Sequence, residues 1–98
     1  MHAKHHGAVR LIRSIRGEGT LLWGASGARA VTYAIDVFRQ GQMSTASGDV
    51  RGDLANLVSR VPGNVRLRFA DGAEVSASLA DIEADGAMIE LLGPAPGS

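Results

Sequence analysis

Residues 30–39 constrain the fold more than any other part of the chain. Every second residue there is β-branched or aromatic, and most positions between them are small or polar. Because successive side chains of a β-strand point to opposite faces, this alternation predicts a strand with one buried face. The residues predicted to face the core are Val31, Tyr33, Ile35 and Val37.

Shorter segments with similar alternation follow and precede this strand, separated by turn residues. Thirteen glycines are spread over the 98 residues, which favours many tight turns and therefore many short strands. A chain of this length has too little apolar material for two cores, so we expect one domain. The predicted fold is mainly β, an antiparallel barrel or sandwich of about six or seven strands. The predicted strands include 9–16, 20–23, 42–50, 65–69, 73–79 and 88–92.

The turn residues predict how the first of these strands pair. With Gln40 and Gly41 as a two-residue loop, Tyr33 lies opposite Gly48. An aromatic ring over a cross-strand glycine covers backbone that glycine leaves exposed. We therefore expect Tyr33 to cover Gly48.

Two further hairpins carry the turn sequence Ala-Asp-Gly-Ala. In the first, a three-residue loop with Gly72 in the left-handed conformation places Phe69 opposite Ala73 and keeps apolar residues paired. In the second, two registers remain open. A two-residue loop pairs Ile82 with Ile89, and a three-residue loop pairs Leu79 with Leu91.

One segment shows helical spacing instead. Leu54, Leu57, Val58 and Val61 recur at intervals of three and four behind Asp53, a residue that caps helices well. This predicts one short helix over about residues 54–60, which must pack on the sheet or close one end of a barrel, because so short a helix is unstable alone.

The ends of the chain differ from its centre. Residues 1–8 are polar and aperiodic and are predicted to be a flexible arm, residues 9–92 form the domain, and the Pro- and Gly-rich residues 93–98 are expected to be a frayed tail. No apolar run is long enough to span a bilayer, and the first six residues lack the apolar stretch of a secretory signal. We expect a cytoplasmic protein.

Charge is balanced overall but not along the chain. Residues 1–49 contain six Lys/Arg against three Asp/Glu, whereas residues 50–98 contain four against seven. An ordinary solvated surface is the simplest explanation. Self-association between surfaces of unlike charge is an alternative, and the asymmetry is weaker than the footprint of a typical nucleic-acid-binding domain.

The residue types that usually carry catalysis are missing or poorly placed. The chain has no cysteine, and its histidines are confined to His2, His5 and His6, so a nucleophile–base pair is improbable. On an unanchored arm these histidines would give an adventitious metal site at most. Asp36 lies on the outer face of the predicted strand and is not expected to be catalytic. We therefore predict no enzyme activity, no cofactor and no native metal site.

The best functional hint is a basic and aromatic group near the start of the chain. Arg10, Arg13, Arg16 and Trp23 are the residue types that bind phosphates and stack on bases. A regular strand, however, would place Arg13 on the face opposite Arg10 and Arg16. These four residues are the candidate binding site.

Several stretches resemble those of small, uncharacterised bacterial β-barrel proteins. They are Gly-Glu-Gly-Thr-Leu at 17–21, Val-Thr-Tyr-Ala-Ile-Asp-Val-Phe at 31–38, Ala-Ser-Gly-Asp-Val-Arg-Gly-Asp at 46–53 and the Asp-Gly turns. The resemblance covers most of the chain and implies a barrel, without an assigned activity to transfer. The function we expect is a non-catalytic interaction module that binds a protein partner or itself. The alternative is a small nucleic-acid-binding barrel.

Overall fold

The computed structural model describes residues 8–96, in which six strands and one short helix follow one another. Every strand pair is antiparallel, and pairing of β1 with β4 closes the ring in the order β1-β2-β3-β6-β5-β4. The mainly β prediction is therefore confirmed, and the architecture is a closed barrel. The elements are β1 (Arg10–Trp23), β2 (Gly27–Gln40), β3 (Met43–Arg51), α1 (Ala55–Val58), β4 (Val65–Arg68), β5 (Glu74–Glu83) and β6 (Gly86–Leu91).

Strand β1 is one long strand where the sequence predicts two separated by Gly17 and Gly19. The two glycines lie within the strand, and Gly17 pairs directly with Tyr33 of β2. A methyl group added at Gly17 would lie only 2.7 Å from the Tyr33 hydroxyl oxygen. The glycines thus leave room for the tyrosine ring against the inner face of β1, and they do not mark a turn.

The predicted register between β2 and β3 is wrong by two residues. Tyr33 pairs with Val50, and Ile35 pairs with Gly48. The loop consists of residues 41 and 42, with Gly41 at φ 63°, because a tight turn of this kind needs a positive φ at its first central residue. Since the shift is even, the buried face is unchanged, and Tyr33 covers Gly17 instead of Gly48.

The other two hairpins gave different outcomes. Between β4 and β5 the three-residue loop is confirmed: the Phe69 N–H donates to the Ala73 carbonyl at 2.7 Å, and Gly72 has φ 94°. Between β5 and β6 neither register considered from the sequence is found. Residues 84 and 85 form the loop, and an irregularity between Ala80 and Glu83 shifts the pairing so that Leu79 lies opposite Ile89.

The barrel interior is filled by the residues that alternate inward. The predicted inner face of β2 is buried throughout, and the largest fully buried side chains are Leu21, Ile35, Leu54, Leu67 and Val50. The helix is shorter than predicted. Leu54 just before the helix and Leu57 within it are buried in the core, whereas Val58, the last helical residue, and Val61, beyond the helix, are 49% and 62% exposed.

The chain beyond β6 is packed as far as the structure describes it, although the sequence predicts fraying from Gly93. Leu92 donates its N–H to the Ser76 carbonyl at 2.7 Å, and Ala95 is buried. A guanidinium nitrogen of Arg13 donates to the Pro96 carbonyl at 2.5 Å. This short segment therefore ties β5 to β1. The predicted N-terminal arm and the last two residues lie outside the described residues, apart from Ala8.

Candidate functional site

The site begins with the mismatch in length between β4 and its neighbour β1. Strand β4 has four residues, and of the 14 residues of β1 they pair with Thr20–Trp23 at its end and with no others. The preceding residues of β1 pair with β2 on one side. Within residues 8–96 no strand covers their other side. We call residues 10–18 of β1 the free edge.

A free edge presents backbone groups that a further strand can use. About half of the N–H and C=O groups along residues 10–18 point away from β2, because antiparallel pairing uses alternate residues on each side. At about 3.3 Å per residue the free edge is about 30 Å long, which is enough for a strand of ordinary length. One irregularity interrupts it, because the pairing with β2 skips Ile12 as a β-bulge.

Exposed apolar side chains accompany the free edge on the outer face of the sheet. Leu11 of β1 pairs with Phe38 of β2 on that face. Met43 lies on β3, next to the turn that joins β2 to β3. Leu11 is 58% exposed and Met43 is 71% exposed, while Phe38 is half-buried. The alternation of the sequence gives no sign of this group, which we call the apolar corner.

The bulge changes the faces on which the candidate arginines lie. Arg10 pairs with Arg39 and Arg13 pairs with Val37, so both lie on the face that continues the barrel interior. Arg16 pairs with Ala34 on the outer face. The expectation that Arg13 and Arg10 lie on opposite faces of the sheet is therefore wrong. The bulge inserts Ile12 as an extra residue between them, so that their side chains point to the same face. Arg13 is held by the C-terminal segment.

Trp23 is not brought near the arginines. It is the last residue of β1, about 40 Å along the strand from Arg10. Its half-buried ring lies over Gly27, its cross-strand neighbour, and borders the groove beside α1. The four residues chosen from the sequence therefore share a strand but do not form one surface.

Arg10 and Arg39 form an unusual pair at the tip of the free edge. They lie directly opposite each other, both are exposed, and neither forms an ion pair with any described residue. Like charges in this position destabilise a sheet. Arg16 is also exposed and has no carboxylate partner in the described part of the chain.

Apart from Glu18 on the free edge, the carboxylates of the described residues lie elsewhere. Asp36 accepts a 2.6 Å hydrogen bond from the Ser14 hydroxyl on the outer face. A shallow groove of about 290 Å³ at the opposite end is lined by acidic residues of β3, β5 and the last hairpin. No three ligating side chains among residues 8–96 converge so as to hold a metal ion. The acidic residues in the groove are Asp49, Asp81, Glu83 and Asp85.

Comparison of the chain with protein-family models, with curated proteins and with solved structures gives no match. No helix in the described part of the chain is long and apolar enough to cross a membrane. The free edge is therefore the feature of the molecule from which a function can be proposed.

Proposed function

We propose that this chain is a protein interaction module that binds an extended segment of a partner as an added strand along the free edge. The observation that carries the proposal is the one-sided pairing of residues 10–18 of β1. Domains recognise peptides in this way when a sheet edge is accessible: main-chain hydrogen bonds supply affinity, and neighbouring side chains supply specificity.

The surroundings of the free edge support this function. Long exposed edges favour unwanted pairing, and proteins usually cover them. Within residues 8–96 no strand covers this edge, and a bound segment would lie beside Leu11 and bury it further. The bulge at Ile12 and the arginines reduce pairing with a second copy, but they leave residues 13–18 geometrically regular.

The expected affinity is modest. Each new backbone hydrogen bond contributes about 1 kcal/mol net, and ordering a short segment offsets much of that gain. We therefore expect dissociation constants from about ten micromolar to about one millimolar for isolated peptides.

The experiment is a titration of isotope-labelled protein, followed by NMR, with a neutral peptide of about eight alternating valine and threonine residues. Two N-methylated versions carry methyl groups on alternate amides, so that each blocks one hydrogen-bonding edge of the peptide. Strand addition predicts shifts at residues 10–18, and loss of binding with only one of the two methylation patterns. Equal binding of both methylated versions, or shifts confined to other residues, would contradict it.

Nucleic-acid binding remains the alternative function. Single-stranded DNA and RNA oligonucleotides are titrated in parallel at low and moderate salt. Salt-sensitive shifts that include both Arg10 and Trp23 would support that alternative, since strand addition does not involve Trp23.

A further inference from the structure

The geometry points to a specific class of occupant for the free edge: an extended segment of another protein that carries carboxylate side chains opposite Arg10 and Arg16. This inference rests on the proposed function and adds the chemistry of the partner to it.

The first observation is the Arg10–Arg39 pair. The register holds the two side chains opposite each other at an exposed strand end, and no described carboxylate neutralises them. Two guanidinium groups side by side repel each other and favour an anionic group placed next to both. A strand added beside β1 would place a side chain directly next to Arg10, where a glutamate or aspartate could reach this pair.

The second observation is Arg16, on the other face of the same edge. It is exposed and lies opposite Ala34, and none of the described carboxylates, including Glu18 and Asp36 on the same face, forms an ion pair with it. A residue facing Arg16 on an added strand belongs to the outer face, whereas a residue facing Arg10 belongs to the inner face. The two arginines therefore specify acidic residues on both faces of the bound segment.

The same charges argue against a second copy pairing through its own free edge. The edge contains Arg10, Arg13 and Arg16 but only one carboxylate, that of Glu18. Both copies of the edge therefore carry a net positive charge, which disfavours their pairing, even though full antiparallel overlap of residues 10–18 sets Arg10 opposite Glu18. An acidic partner segment gains attraction where a second copy meets repulsion.

The remaining positions of the segment follow from the residues that face it. Leu11 on the outer face and half-buried Ile15 on the inner face favour apolar side chains opposite them. Ser14 tolerates a small polar neighbour. The predicted ligand is therefore an alternating apolar and polar segment with two carboxylates, in a register fixed by Arg10 and Arg16.

The test uses three peptides that differ only at the two positions facing Arg10 and Arg16, which carry glutamate, glutamine or lysine. Binding to the full chain is measured by NMR titration at low salt. We expect the glutamate peptide to bind about five- to tenfold more tightly than the glutamine peptide, and the lysine peptide to bind more weakly than both. The advantage of the glutamate peptide should shrink at high salt.

Matched variants assign the effect to the two arginines. The double variant Arg10→Glu, Arg16→Glu should reverse the order and prefer the lysine peptide. The control Arg60→Gln changes an exposed arginine outside the free edge and should keep the original order. All three substituted arginines are exposed, and an amide spectrum confirms that each variant is folded.

Four results would overturn the inference. Equal affinity for the glutamate and glutamine peptides would leave strand addition intact but refute the acidic partner, whereas failure of every peptide would refute the proposed function itself. A single-stranded oligonucleotide that displaces the glutamate peptide from the free edge with higher affinity would assign the arginines to phosphate. Dimer formation through the free edge, detected by light scattering and abolished by the double variant, would assign them to a second copy.

Discussion

The substitution Gly19→Ala gives the sharpest prediction about stability. Gly19 lies beside the pairing of β1 with β4 that closes the barrel, which we call the seam. The added methyl carbon would lie within 3.0 Å of the Arg68 carbonyl oxygen, a separation that real Cβ atoms essentially never show, and 3.1 Å from the Tyr33 ring. Neither neighbour can move easily, because Arg68 belongs to the four-residue pairing that closes the barrel and Tyr33 is buried.

The size of the effect follows from these two contacts. Overpacking against a buried ring costs about 1–2 kcal/mol. Displacing the Arg68 carbonyl weakens the neighbouring seam hydrogen bonds by about 1 kcal/mol more. We therefore expect Gly19→Ala to lower the free energy of unfolding by about 2–3 kcal/mol, and the Tm by about 10–20 °C for a domain of this size.

The assay is urea unfolding followed by far-ultraviolet circular dichroism, with Gly63→Ala as the matched control. A methyl group at Gly63 would meet no atom within 4 Å, and this glycine does not have a positive φ. The control should therefore change stability by less than about 1 kcal/mol, in the stabilising direction if at all. Unfolding of the two variants at the same urea concentration would refute a steric clash at Gly19.

Three smaller effects complete the predictions. Tyr33→Phe removes the hydroxyl that accepts a 3.1 Å hydrogen bond from the Ala70 N–H and should cost about 1 kcal/mol in urea unfolding; an unchanged midpoint would contradict this contact. Glu74→Gln removes exposed ion pairs to two arginines of β4 and should cost less than about 1 kcal/mol, a loss that disappears in high salt. Arg13→Gln removes the 2.5 Å hydrogen bond to the Pro96 carbonyl and should speed amide exchange at Ala95. Unaltered exchange at Ala95 would show that this bond does not hold the C-terminal segment in place.

The elements that the sequence predicted well are those whose own residues determine them. The alternation from Val31 to Val37 requires one buried face, and that face is buried. The loop containing Gly72 was correct because only one loop length keeps Val65 and Leu67 paired with apolar residues. Both features depend on local chemistry that is visible in one or two segments.

The predictions were wrong where contacts with distant segments determine the strand boundaries or the register. The sequence predicts a break in the strand at Gly17 because glycine usually interrupts strands, but Tyr33, sixteen positions later, requires a residue without a side chain there. The Tyr33–Gly48 contact was misassigned because the loop was placed one residue too early. For the last hairpin, the irregularity near Asp81, which has φ 51°, could not be anticipated from the apolar pattern.

The candidate site was anticipated only in part. Arg10, Arg13 and Arg16 were selected by their charge, and all three lie on the strand that carries the free edge. The edge itself depends on the difference in length between β1 and β4, and the sequence suggested two short strands in place of β1. Because β1 is one unbroken strand, Trp23 at its end lies far from the arginines at its start.

The most direct test of the free edge is amide hydrogen exchange along β1 in the isolated protein. Residues 20–23 lie between two strands, so all their amides should be protected and serve as an internal reference. Over residues 13–18 the account predicts alternation, with amides that face β2 exchanging slowly and those that face away exchanging nearly as fast as in an unfolded peptide. Uniform protection of residues 13–18 would contradict it, because another segment would then already occupy the edge.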